Sequence, residues 1–515
     1  MRTRAIGWSP CWLALLLAGC DYLGLGGGHG PVLLSAPVIY LNQAAQNPDG
    51  SVALVAGRPA LIRIFMVGDE TSDYRPAARV TLFHEGTEVY SEVLAGAADW
   101  IPDEVIEADL ERSVNGIIPG SVLQPGVAMV VQLDPEGLVP LAPGSRTRYP
   151  ATGSTELNVV EPQLLRQVIV PTLEVRLPNE SVYDWTDDLS PESAQVLLAR
   201  TLMPVGSMEL EVHDTYRTGS NLATEDGWSA WLREIEVLFL QEGRRGYYYG
   251  VAAVTNPAYA GMGLVGSPVS VGLPYDVIYA HELGHNMNLQ HAPCESAGRL
   301  DPNYPYDGGV IGIWGYDPNL DQLLDPRQYK DVMGNCSPVW ISDYNFSRAT
   351  RHRLRGDGGV ELDGGAARAG SRDRGEMLVV WGSIRDGRVK LDPAFVLDGP
   401  PALPETGGPY TVEGLGPDGR TEFSFQFTPT PLEYGGGSFV FFVPWERDWA
   451  DSLDRIVLGG PEGEDTLTRS GAPAMAVVTD PTAGGIQAII RNWDGGPLPG
   501  EGTANVTITR GIPRG

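Results

Sequence analysis

Three of the chain's seven histidines fall within eleven residues, His281-Glu282-Leu283-Gly284-His285-Asn286-Met287-Asn288-Leu289-Gln290-His291. Residues four apart on a helix share a face, so His281 and His285 can aim ring nitrogens at one metal ion. Glu282 sits beside the first of them, within reach of a water on that ion, and the combination is one for metal-assisted hydrolysis. His291 lies too far round to join the pair if the helix continued. The chain must therefore turn at about Asn288, a residue that tolerates the left-handed conformation ending many helices.

With its third histidine the motif resembles the His-Glu-x-x-His-x-x-Gly-x-x-His signature of the metzincin zinc endopeptidases, with Asn288 where that family usually has Gly. Metzincins also carry a downstream Met-turn, and Asp331-Val332-Met333-Gly334-Asn335-Cys336 is similar to one. The resemblance covers residues 162–356 and, within the metzincins, is to secreted bacterial enzymes, including those that cleave mucin-type glycoproteins. It implies a catalytic Zn2+ held by His281, His285 and His291, with Met333 beneath it. It further implies Glu282 as the general base, taking a proton from the zinc-activated water as this attacks a peptide carbonyl and passing it to the leaving amine. Residues 262–271 then correspond to the edge strand that holds substrate. Some branches place a Tyr two residues after the Met; Asn335 stands there, so no such Tyr is assigned, although Tyr344 is nearby. Cys294 and Cys336 follow His291 and Met333 by three residues each, and the resemblance brings those segments together. A disulfide beside the metal is implied for an exported protein; two free buried thiols, or thiolate ligation, are the alternatives.

The motif needs elements to position it, and the surrounding residues signal several. Trp228, Trp231, Leu232, Ile235 and Phe239 recur at helical spacing, which predicts an amphipathic helix over residues 226–241. Ser190-Pro191-Glu192 reads as a helix start leading into Val196, Leu197, Leu198 and Leu202. Met208, Leu210 and Val212 alternate with acids as in a half-buried strand, and residues 247–254 and 262–271 read as two more. Ser342-Asp343 followed by Arg348, Arg351, His352, Arg353 and Arg355 reads as a helix whose charges suit its dipole. His84 and His213 sit in strand-like contexts and are read as structural. Trp340 lines a substrate pocket or belongs to the core.

On either side of this α+β catalytic domain the pattern is β. Short apolar runs between Gly, Pro and Asp clusters predict an Ig-like sandwich over residues 32–161. Residues 357–375 have the composition of a linker, and residues 376–515 contain runs such as Met377-Leu378-Val379-Val380-Trp381 that predict a second β domain. The expected fold class is thus multidomain, a metzincin-like domain flanked by β-sandwich-like domains. A chain of 515 residues agrees, since single cores stop growing near about 250–300 residues.

At the N-terminus Arg2 and Arg4 precede an apolar run too short to span a bilayer, which takes about 20 residues. It ends in Leu17-Ala18-Gly19-Cys20, which resembles the lipobox of bacterial lipoproteins. This implies a signal peptide over residues 1–19, which takes Cys11 with it, an acylated Cys20 and a Gly-rich tether over residues 20–31. The protein is then exported and anchored by lipid to the cell membrane, on its periplasmic or cell-surface face. A formal charge of -29 disfavours nucleic acid as a partner. The expected activity is zinc-dependent hydrolysis of extracytoplasmic proteins or glycoproteins. The alternative is a surface binding or adhesion lipoprotein whose zinc domain is catalytically silent.

Overall fold

The computed structural model describes residues 30–295, 298–356, 374–405, 407–500 and 502–513. The signal peptide, Cys20, nearly all of the tether and residues 357–373 of the linker lie outside the described residues.

The N-terminal region is two antiparallel sheets around one core. Ser35–Asn42, Ala60–Val67 and Val114–Ile118 form the first; Thr87–Leu94, Ala78–His84 and Val127–Leu133 lead the second. In Ala78–His84 buried Ala78, Val80 and Leu82 alternate with half-buried residues, as expected of a strand with one face inward. Ala44, Ala45, Val52 and Val55 leave this sandwich and pack into the core under the histidine motif. Arg58 follows them, its guanidinium donating to the carbonyls of Thr201 and Met203 at the C-terminal end of the helix Ala194–Leu202. A cation there meets the negative end of the helix dipole.

The middle of the chain is built on a sheet of nine strands. Leu165–Glu174 lies at its centre, parallel to Met208–Val212, Tyr216–Thr218 and Tyr247–Val251. Val269–Gly272 continues the parallel order, and Gly261–Gly263 closes that edge antiparallel. The central strand is buried on both faces, as parallel strands covered by helices must be. Leu165, Ile169 and Leu173 face the motif helix Asp276–Asn286, with Ala194–Leu202 and Asp343–Leu354 beside it. Val168 and Val170 face the long helix Glu225–Gln241.

Three local expectations change. The helix expected from Ser190 begins at Ala194, because the Ser193 hydroxyl turns back to the Ser190 backbone N–H and residues 190–193 close a turn. The strand expected over residues 262–271 is two strands, Gly261–Gly263 and Val269–Gly272, reversed through a turn in which Gly266 has φ +75°. The long helix is buried all round from Gly227 to Gln241, so its polar face meets protein instead of water.

That protein is the C-terminal region, and here the domain expected over residues 376–515 is corrected. Ile486–Ile490 pairs parallel with Tyr216–Thr218, and Met475–Thr479 and Asn505–Thr509 extend the nine-stranded sheet beyond it. Residues 375–468 do form a two-sheet sandwich, but its strand Gly375–Arg385 is shared. Leu378 and Val380 face the sandwich core, while Met377, Val379 and Trp381 cover the long helix. Charges seal the junction: Asp392 pairs with Arg233 of the helix and with Arg491, which also pairs with Glu234. Buried ions need partners of opposite charge to be tolerated.

Glu236 is the exception on that helix, with Oε2 buried and without a hydrogen-bond partner. Burial pushes its carboxyl up to about 8 despite the opposing charges of Arg233 and Arg244. An acid with a raised folded-state pKa binds its extra proton only in the folded protein, so it erodes stability as pH rises from its ordinary value of 4.5 to about 8. Glu236→Gln is expected to melt with the wild type near pH 4.5 and above it at pH 8, measured by thermal denaturation at both values.

Candidate metal centre

The motif helix Asp276–Asn286 begins with an acid in its first turn, which suits the positive end of the dipole, and ends two residues before Asn288. Asn288 has φ +65°, and the amide N–H of Leu289 donates to the Gly284 carbonyl across the reversal. The turn read from the sequence is therefore where the chain leaves the helix to bring His291 back. Gly284 faces downward: a Cβ there would come 2.4 Å from Met333 Sδ. The glycine thus lets the Met333 turn pass directly under the helix, with Met333 fully buried.

Two of the three imidazoles are oriented by backbone oxygens. His281 Nδ1 lies 2.7 Å from the Val332 carbonyl oxygen and His285 Nδ1 lies 2.9 Å from that of Leu289. A carbonyl offers only lone pairs, so in each neutral ring Nδ1 carries the proton and Nε2 presents a lone pair. These Nε2 atoms are 3.0 Å apart, and His291 Nε2 is 3.2 Å from that of His285. Lone pairs turned on one another repel, and a cation among them converts the repulsion into ligation. A tetrahedral ion with bonds of about 2.0–2.1 Å has edges of about 3.3–3.4 Å between its ligand atoms, close to these separations. The residues fit a divalent metal ion.

A fourth donor comes from a residue that no motif indicated. Glu433 Oε2 lies 2.6 Å from His285 Nε2, 3.3 Å from His291 Nε2 and 3.8 Å from His281 Nε2. The four donor atoms lie within 4.8 Å of one another, and all four residues are buried. Burial alone would raise the Glu433 carboxyl, but the surrounding histidines, His285 first, favour its charged form and hold it well below the carboxylate range. Tyr434 follows, stacked on Tyr259 and with its ring centroid 5.9 Å from that of His291. The run Pro431-Leu432-Glu433-Tyr434-Gly435-Gly436 signals a turn, but nothing local says what surface the turn meets.

Glu282 is buried beside this cluster, its Oε2 without a hydrogen-bond partner among the described residues. The edge strand passes close above it because Gly261 and Gly263 both face the helix. A Cβ on Gly261 would come 2.1 Å from Glu282 Oε1, and one on Gly263 would come 3.0 Å from Oε2. Met262, of opposite parity, points into the core on the other face. Burial first, and the Glu433 charge second, push the Glu282 carboxyl well above its ordinary value.

The remaining sequence-predicted residues divide clearly. Cys294 and Cys336 form a disulfide, and the Asn335 amide donates to the Cys294 carbonyl alongside it. Asp331 supports the same turn, accepting from the Met333 and Ser342 amides and from Asn345 Nδ2. Trp340 is a core residue whose indole N–H donates to the Ala44 carbonyl. Tyr344 donates to Asp301 and not to the histidine cluster. His213 pairs with Glu242 at 2.9 Å, a structural role. Cys20 lies outside the described residues.

The disulfide spans a sequence separation of 42, and a loop of that length is expected to contribute roughly 4 kcal/mol in the chain-entropy picture. Replacing both cysteines by serine is expected to lower the denaturation midpoint accordingly, and to weaken metal binding measured by competition with a chelator.

No match is found among curated proteins. Among solved structures the chain is similar to the CARDB domain of a Pyrococcus furiosus protein in complex with di-metal ions, at 12% identity, covering 26% of this chain and 98% of that one, with a TM-score of 0.17. It is also similar to a Parabacteroides merdae beta-glucuronidase with glycerol in its active site, at 9% identity, covering 44% of this chain and 29% of that one, with a TM-score of 0.15. Residues 215–338 match the family model described as Peptidase M66. That stretch holds the long helix, the edge strand, all three histidines, Glu282 and Met333, and the match supports a metallopeptidase family for the segment that carries the metal centre.

Proposed function

We propose that the chain is a zinc-dependent endopeptidase, metzincin-like in its catalytic domain, with Glu282 as general base. The observation that carries this reading is the convergence of three Nε2 atoms beside the buried Glu282 carboxylate, whose Oε2 has no hydrogen-bond partner among the described residues. Imidazole and carboxylate donors at these separations suit zinc, which when bound supplies Lewis acidity and lowers the pKa of a water toward neutral. Burial, with the Glu433 charge, makes Glu282 hold a proton more tightly than an ordinary carboxylate, the direction that suits a general base. Its Oε2 is the atom that takes the proton and returns it to the leaving amine. His281 and His285 are kept in the ligating tautomer by the Val332 and Leu289 carbonyls. The edge strand Gly261–Gly263 offers backbone groups along which an extended peptide can lie.

The substrates in this reading are extracytoplasmic proteins or glycoproteins, reached from a chain exported by its signal peptide and held to the membrane by lipid on Cys20. A surface binding lipoprotein with a silent zinc domain is the second reading. One observation favours it: Glu433 completes a four-donor set, as in structural metal sites, which are closed.

Chelator-sensitive cleavage of a casein-like substrate separates the two. Glu282→Gln is expected to keep bound metal while losing at least about a hundredfold in hydrolysis; a metal-loaded variant that still cleaves at the parent rate would sink the mechanism. Cys20→Ser is expected to move the protein from the membrane fraction to the soluble extracytoplasmic fraction, followed by fractionation and immunoblotting.

A further inference from the structure

The segment that delivers Glu433 is a tight turn between the strands Thr430–Pro431 and Gly437–Pro444. It is docked on the active-site edge at several points. Leu432 bridges antiparallel to Leu264, and the Val265 amide donates to the Pro431 carbonyl at 3.0 Å. The Gly263 amide donates to Glu433 Oε1 at 2.9 Å, and the Arg299 amide donates to the Glu433 carbonyl at 3.0 Å. Tyr434 stacks on Tyr259 with centroids 4.3 Å apart. Among the described residues Gly261–Gly263 has a strand partner on one side only, Val269–Gly272. The turn therefore takes backbone groups at the open edge of the sheet, which are those an incoming extended peptide needs.

Two observations on the same few residues conflict if this arrangement is permanent. A four-donor protein set closes a metal site, and closed sites are structural. Yet Glu282, buried and without a partner for Oε2, is cradled by two glycines against that very set, which a structural site does not require. A removable fourth ligand resolves the conflict. The chain next to Glu433 turns on glycine: Gly435 and Gly436 have φ of +96° and +76°, and a Cβ on Gly435 would meet nothing within 4 Å, so this residue is a place where the backbone can rearrange.

We propose that the turn over residues 431–436 is a built-in plug, with Glu433 as a displaceable fourth metal ligand that keeps the metal-loaded protein latent. The proposal rests on the peptidase reading above. Being part of the chain, the carboxylate competes at an effective concentration on the order of millimolar or higher, which a dilute substrate does not match. Displacement of the turn frees at once the fourth ligand position and the Gly263–Val265 edge.

The test uses the full chain as wild type, Glu433→Ala and Glu433→Gln, each loaded with Co2+ for visible absorption and with Zn2+ for peptide hydrolysis. Acetohydroxamate, a small metal-binding probe, reports whether the fourth position is open. Glu433→Ala is expected to bind acetohydroxamate at least tenfold more tightly than the wild type, read from the Co2+ band, and to hydrolyse a peptide library at least tenfold faster. Glu433→Gln, which preserves shape and is a weaker ligand, falls between them and carries the test alone if the alanine variant does not fold. Equal acetohydroxamate affinity in wild type and variants overturns the plug, as does loss of Co2+ from the variants with no gain in probe binding. Variants that open to acetohydroxamate but hydrolyse nothing leave the plug standing and overturn the peptidase reading. A wild type that hydrolyses as fast as its variants does the reverse.

Discussion

Three imidazole Nε2 atoms aimed at one point make an arrangement that no apolar core would hold by itself. In this protein the arrangement is enforced from outside the rings. The Val332 and Leu289 carbonyls fix which nitrogen carries the proton in His281 and His285, and the reversal at Asn288 decides where the third ring stands. The turn carrying Met333 must lie directly under the helix for the Val332 carbonyl to reach His281. Gly284 provides the room, Asp331 gathers the turn's amides, and the disulfide from Cys294 to Cys336 ties it to the segment after His291. Each of these features serves the same requirement, that like partial charges stay close until a cation is among them.

The second requirement is a roof. The edge strand can approach Glu282 only because Gly261 and Gly263 carry no side chains on the helix-facing side, while Met262 anchors the same strand in the opposite core. The sheet that holds this strand is not completed by the middle of the chain. Its far side is built from residues 475–509, and the long helix behind it is sealed by the shared strand Gly375–Arg385 and the ions around Asp392. The C-terminal region is therefore part of the same folded body as the metal centre. Once it is docked there, its 431–436 turn can reach across the edge strand to the histidines.

Features set by short-range geometry are legible in the amino-acid sequence. The helix under the motif, the turn at Asn288, the helix starting after Ser342 and the long helix over residues 225–241 follow from spacings of a few residues. Misreadings arise where one local signal has two outcomes. Ser190-Pro191-Glu192 has the residues of a helix start, but a hydroxyl that bonds to a neighbouring turn amide caps nothing. An apolar run over residues 262–271 fits one strand as well as two, and only Gly266 marks the reversal. The charged residues of the long helix suggest a solvated face because pairing partners such as Asp392 and Arg491 lie far away in sequence.

By itself the sequence put three histidines, with Glu282 beside the first, at spacings that a helix and one turn convert into convergence, because those relations extend over a single turn of backbone. Only the tertiary structure decided that a fourth donor, the carboxylate of Glu433, enters the same cluster, that Trp340 is core, and that the sheet crosses the boundary drawn at the linker. Those outcomes depend on which surfaces pack together, and the burial of apolar area that drives such packing is non-directional, so no local pattern records it.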